Sequence, residues 1–176
     1  MKIPSDCDPL AWGERRYVQP VMTSATKWSN EPSFGMTLSG TSAIGSPYRA
    51  PYSAFDGKGS YGANYGWGHY GDGECTYHAL MEFEHPLKIL GVVYGTFNQA
   101  YRRYSDFYGV EDDGTEVPQF HVETNYGGFV HNVRCENPRY FKRYKWVQRF
   151  DGRNGGWAGV HLVKLDALYR PADLQG

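Results

Sequence analysis

This sequence predicts an all-β fold closed as a jelly-roll-like double sheet, and three observations carry the prediction. Aromatic residues make up 16% of the 176 residues, with 15 Tyr among them, a composition suited to pleated, half-buried surfaces. The 22 Gly and 10 Pro cut the chain into short runs of β-formers, the rhythm of many strands joined by turns. No stretch repeats apolar residues at helical spacing over several turns. The length suits one domain with a real core.

The elements follow in chain order. Residues 1–19 show no alternation and form an N-terminal arm; residues 20–170 form the sandwich and 171–176 a C-terminal tail. In the arm, Trp12 offers an apolar anchor and Arg15 and Arg16 bidentate polar contacts, a division common where a chain meets a partner. The arm is expected to touch another chain. Residues 79–97 read as a hairpin turning at His85-Pro86, and 87–93 is apolar on nearly both faces, as a central strand of a sandwich requires. In 140–150 the even positions Tyr140, Lys142, Tyr144, Trp146, Gln148 and Phe150 face inward, while Arg143, Lys145 and Arg149 face water. A turn is expected at 151–156. The last strand puts Val163, Leu165, Ala167 and Tyr169 on one face and Lys164 and Asp166 on the other, ending near Pro171.

Several pieces then occur in a telling order. Ser53-Ala54-Phe55-Asp56-Gly57 is followed by Trp67, by the run Ala79-Leu80-Met81-Glu82-Phe83 and by Leu87-Lys88-Ile89-Leu90-Gly91-Val92-Val93. Ser105-Asp106-Phe107-Tyr108-Gly109-Val110-Glu111-Asp112-Asp113-Gly114 and Arg143-Tyr144-Lys145-Trp146-Val147 come after them. The series resembles the discoidin family, the coagulation-factor C-type or galactose-binding-like domain. That domain is found in carbohydrate-binding modules and in bacteriophage tail or capsid adhesion proteins. The resemblance implies a discoidin-like, galactose-binding-like jelly-roll β-sandwich that binds and does not catalyse. It makes Trp67 a structural core residue. It also places Asp56 where many carbohydrate-binding members hold Ca²⁺. Here the loop departs from the pattern: Lys58 follows the Asp-Gly pair, and an ammonium opposes a cation site by direct repulsion. The simpler reading is that Asp56 caps its own turn through backbone N–H groups. No cofactor is expected, with Ca²⁺ at Asp56 as the one alternative.

Charge and composition exclude other classes. With 18 basic and 19 acidic residues the formal net charge is −1, so no global field attracts nucleic acid or an anionic membrane. No run approaches the roughly 18 apolar residues of a membrane span, so no membrane insertion is expected. Residues 1–7 contain no apolar h-region. Cys7, Cys75 and Cys135 are too few and too scattered for a disulfide framework. These features predict synthesis in a bacterial cytoplasm and, with the resemblance, a virion setting reached by lysis. Other virion proteins, a cell-surface glycan and an oligomeric assembly are the partners expected. The leading reading is a virion module that binds host-surface carbohydrate, and the alternative is a structural virion protein whose sandwich docks onto neighbouring subunits without binding sugar.

Catalytic and metal motifs are thin. No Gly-x-Ser-x-Gly elbow, catalytic-Cys signature or phosphate loop occurs. Adjacent carboxylates such as Asp112 and Asp113 suit a solvated turn. Cys75 with His78 and His131 with Cys135 have zinc half-site spacing, but residues three apart on a strand point to opposite faces. What remains is the polar-aromatic style of two loops. Tyr61, Asn64, Tyr65 and His69 in the first, with Tyr126 in the second, are the candidate ligand residues. A pyranose lays its C–H face on an aromatic ring, and its hydroxyls take hydrogen bonds from Asn or His.

Overall fold

A computed structural model of the chain describes residues 13–19, 21–24, 26–28, 34–40, 51–57, 67–97, 102–124 and 130–175. The strands are β1 (Arg15–Arg16), β2 (Met22–Ser24), β3 (Lys27–Trp28), β4 (Thr37–Gly40), β5 (Trp67–Phe97), β6 (Arg102–Val110), β7 (Glu116–Thr124), β8 (Val130–Arg134) and β9 (Tyr140–Tyr169). Two short 3-10 turns, Pro51–Ala54 and Pro171–Gln175, accompany them, and the described residues contain no α-helix.

Two long strands, β5 and β9, build both layers of the sandwich. Residues 67–82 of β5 run antiparallel to 143–160 of β9, and residues 88–97 run antiparallel to 159–168. Each strand therefore has two limbs. The first limbs join β4, β6 and β7 in one layer, in the order β4-β5-β9-β6-β7. The second limbs join β8 and β1 in the other. Strands that bend from one sheet into the next are a common way to close a sandwich corner. This is the discoidin-like, galactose-binding-like architecture that the sequence resembles.

The register corrects three expectations. Residues 79–97 are not a hairpin: at 79–82 the first limb already pairs with β4 and β9, and at 91–95 the second limb pairs with β8 and β9. Neither limb has a free edge there for the other, so His85-Pro86 is a corner between layers. The turn at 151–156 does not separate two strands but is a fold-back inside the β5–β9 ladder, with Gly71 opposite Gly156 and Gly73 opposite Gly152; the bend brings the Trp67 ring within 5.0 Å of that of Tyr77. Inward alternation holds for Tyr144, Trp146 and Gln148 but fails at Lys142, which is exposed, while Phe141 is buried. The phase changes opposite the β5 corner, where Glu82 pairs with Arg143 and Leu87 with Phe141. Phe141 fills room left by Gly109, since a Cβ there would collide with its ring.

The core is aromatic. Trp146 meets Trp67 at 5.9 Å and Tyr94 at 5.0 Å, and Tyr144 stacks on Phe107 at 5.5 Å. The Tyr94–Trp146 contact joins the second limb of β5 to the first limb of β9, across the two layers. Full burial of such a side chain is worth roughly 1.5–3 kcal/mol, against about 0–1 kcal/mol for an exposed ion pair. The rings therefore dominate over surface bridges such as Lys145–Glu116.

Part of the expected arm belongs to the sandwich. Arg15 and Arg16 pair with Tyr169 and Leu168, and the Tyr17 amide donates to the Ala167 carbonyl at 2.8 Å. Tyr17 is buried in the core cluster. Gln19 then continues the edge with its side chain, donating to the Val163 carbonyl at 2.7 Å and accepting from the Leu165 amide at 2.8 Å. Trp12 lies outside the described residues.

Candidate ligand-binding end

One end of the sandwich gathers the strand termini from which the candidate loops depart. Trp67 opens β5 directly after residues 58–66, and β8 opens at Val130 directly after 125–129. Trp67 and Thr96, at opposite ends of β5, both pair with Val160. Arg103 pairs with Thr124 and Phe150, and its Nη1 donates to the Gly159 carbonyl at 3.4 Å. The far end carries the His85-Pro86 corner and the 111–114 turn, where Gly114 adopts φ +90°.

Beneath the loop end lies a polar cluster. Thr96, Arg103 and His161 are buried. His131 is half-buried; it stacks on Tyr94 at 4.8 Å and lies 3.4 Å from the Thr96 hydroxyl through Nε2. His161 packs flat against β5 at Gly95, where a Cβ would press on its ring. Burial holds the His161 imidazole below its ordinary range, and burial followed by the Arg103 charge does the same for His131. Burial also lowers the Arg103 guanidinium, opposed by Tyr77 and Tyr94. At neutral pH both imidazoles are uncharged, so each carries one donor and one acceptor. A sugar hydroxyl, itself donor and acceptor, matches that pattern.

Of the predicted ligand residues, Tyr61, Asn64, Tyr65 and Tyr126 lie outside the described residues. The backbone of His69 sits in β5 opposite Ala158, and its side chain lies outside them as well. The sequence reading placed His131 in a zinc half-site and gave Arg103, His161 and Thr96 no ligand role. His161 shares the parity of Val163 and Leu165, an inward signal that was available. Trp67 is fully buried against Tyr77 and Trp146, as its structural role demands.

The turn before the first loop is built from the motif that announced it. Ala54 and Phe55 are buried, Phe55 accepts the Met22 amide at 3.0 Å, and Gly57 adopts φ +72°, a conformation that favours glycine. Asp56 is half-buried between them, and Lys58 lies outside the described residues. Among the described residues no cluster of His, Cys, Asp or Glu has the makings of a metal site. His78 is exposed opposite Val147 in one layer, whereas His131 and Cys135 belong with β5's second limb in the other. Burial pushes the Cys135 thiol up to about 12, so at neutral pH it is a thiol and not a thiolate.

Comparison with known proteins supports the fold. No family model and no curated protein matches the sequence. Chitosan-binding module 1 from a chitosanase/glucanase of Paenibacillus sp. IK-5 superposes with a TM-score of 0.53 at 15% identity, covering 78% of this chain and 96% of that one. A GH29 fucosidase from Ruminococcus gnavus, in complex with fucose, gives 0.57 at 14% identity over 79% of this chain. A putative alpha-L-fucosidase from Bacteroides thetaiotaomicron gives 0.57 at 14% over 75%. The chain spans only 26% and 27% of those two fucosidases, but nearly the whole of the chitosan-binding module.

Proposed function

We propose that this chain is a non-catalytic carbohydrate-binding module whose ligand sits at the loop end. Tyr61, Asn64, Tyr65, His69 and Tyr126 approach the sugar, and His131 and Thr96 lie beneath. The observation that carries the reading is the juxtaposition of uncharged imidazole, hydroxyl and aromatic groups at His131, Thr96 and Tyr94, at the strand ends from which two aromatic loops depart. The fold likeness to a chitosan-binding module supports it. The setting we propose is a phage particle carrying the module toward a host-surface glycan, supported by the sequence resemblance to tail and capsid adhesion modules.

The test is a glycan array with the intact chain, followed by titration of any hit against Tyr61→Ala, Tyr65→Ala and His131→Ala. Binding that weakens at least tenfold in these variants is expected. Failure of every glycan on the array to bind a folded chain would remove the sugar reading.

A further inference from the structure

A groove of about 510 Å³ opens between Val18, Gln19 and Val21 on one side, Phe55 and Gly57 on another, and the 163–165 stretch of β9. It exists because β1 stops at Arg16 and the chain then leaves the β9 edge. Gln19 spends both ends of its amide on that edge. A guest therefore finds those backbone groups satisfied and must be held by side chains.

The walls are largely apolar, and two of their side chains stand openly exposed. Among the described residues, only Val18, Val21, Val130 and Leu174 are large apolar side chains that stand exposed. Val18 at 62% and Val21 at 42% both line this groove, with Phe55 beside them. Isolated exposed valines need no explanation, but two sharing one groove mark a contact surface.

The charge at the groove is one-sided. Arg16 and Lys164 line it, and no carboxylate does among the described residues. Arg16 reaches Asp166 only at 3.9 Å, a carboxylate that Arg134 already holds at 2.6 Å. Lys164 is exposed and has no ion pair among the described residues.

We infer that this groove docks an acidic, apolar segment of a partner protein. Aliphatic side chains of that segment lie against Val18 and Val21, and its carboxylates meet Arg16 and Lys164. Sugar hydroxyls are poorly served here, because the amide in the groove, that of Gln19, is already engaged. The inference does not rest on the carbohydrate reading.

The experiment uses the intact chain and a fluorescein-labelled decapeptide of alternating Leu and Glu, read by anisotropy, with a Leu/Lys decapeptide as control. The acidic peptide is expected to bind and to weaken as salt is added. The double variant Arg16→Glu with Lys164→Glu should weaken it at least tenfold, and Val18→Ser with Val21→Ser should do the same. Thermal melts and the glycan array should leave both variants unchanged, so that loss of peptide binding is separated from misfolding and from the sugar site. Equal binding of both peptides, no binding of the acidic one, or binding indifferent to the double charge reversal would overturn the proposal. So would self-association by light scattering, or capture by phosphatidylserine vesicles, that the same variants abolish; these would assign the groove to a second copy or to a membrane surface.

Discussion

The Tyr144 hydroxyl donates to the Leu87 carbonyl at 2.7 Å and accepts the Ile89 amide at 3.2 Å. One residue on the first limb of β9 thus secures β5 just past its corner, where the ladder has broken between Glu82 and Leu87. Without that hydroxyl the carbonyl and amide would be buried and short of a partner. Leaving buried polar groups unsatisfied costs roughly 1–3 kcal/mol. Tyr144→Phe should therefore lower stability by about that amount while keeping the ring stack on Phe107. Urea unfolding of the two chains decides it; equal midpoints would show that the corner holds without the hydroxyl.

Gly95 is the second structural pressure point. A Cβ at this position would sit 2.5 Å from the His161 ring, and His161 is buried in β9 with the partner strand immediately behind it. Overpacking of this kind costs typically 1–3 kcal/mol. Gly95→Ala should melt earlier by a corresponding margin. Combining it with His161→Ala should recover part of the loss, because the colliding ring is gone. Absence of any recovery would locate the strain elsewhere.

Much of the fold was legible because β-sandwich strands declare themselves by period. Gln148, Trp146 and Tyr144, like Val163, Leu165 and Ala167, are buried where alternation placed them. The corners were not legible. A residue pair such as His85-Pro86 breaks a strand in the same way whether the chain returns beside itself or crosses to another sheet, and only long-range register separates the two. The arm was misjudged for a related reason: two residues of pairing at Arg15 and Arg16 are too short to show a period. At the candidate end, His131 stood out for metal chemistry alone. The burial of Arg103 and the half-burial of His131 beside it depend on neighbours from other strands that no local pattern reveals.

Acid sensitivity should appear in two steps. His131 and His161 are held below their ordinary 6.5 in the folded chain, so the unfolded chain takes up protons first as pH falls. Their contribution to stability is complete above that value and declines as the pH drops below it. Glu14, lowered by its bonds to Lys88 and Tyr140, and Asp113, lowered by Thr115, act further down. Their contribution is present above their ordinary values of 4.5 and 3.8 and is lost below them. Denaturant midpoints at pH 7.5 and 5.5 should differ in the native chain, and the difference should shrink in His131→Gln with His161→Gln. An unchanged difference would remove the histidines as its source.

Metal removal should leave the domain intact. His78 lies in one layer and His131 with Cys135 in the other, and burial raises the Cys135 thiol so that it is protonated at neutral pH. Asp56 sits in a turn already organised by the Phe55 backbone bonds and by Gly57. A chelator is therefore expected to leave the melting temperature unchanged. A fall that Ca²⁺ reverses would give Asp56 the metal its sequence position suggests, and one that Zn²⁺ alone reverses would point to cysteine or histidine ligands.

The loops and the floor of the proposed sugar site should fail in different ways. Tyr61, Tyr65 and Tyr126 are proposed to offer ring faces to a pyranose. Removing one ring costs stacking, while the neighbouring polar contacts survive, so binding should weaken without a change in pH dependence. His131 is proposed to supply a neutral imidazole whose acceptor is lost on protonation, so binding by the native chain should weaken as pH falls through the folded-state titration of His131, which burial holds below its ordinary value. His131→Gln keeps a donor and an acceptor but cannot take up that proton, and should bind with the pH dependence flattened. Titration of one array-selected glycan across the pH range in which the His131 imidazole of the folded chain takes up its proton, against the native chain, Tyr65→Ala and His131→Gln, separates these contributions. A native chain whose affinity is unchanged once His131 is protonated would place His131 outside the site, even if the tyrosines prove essential.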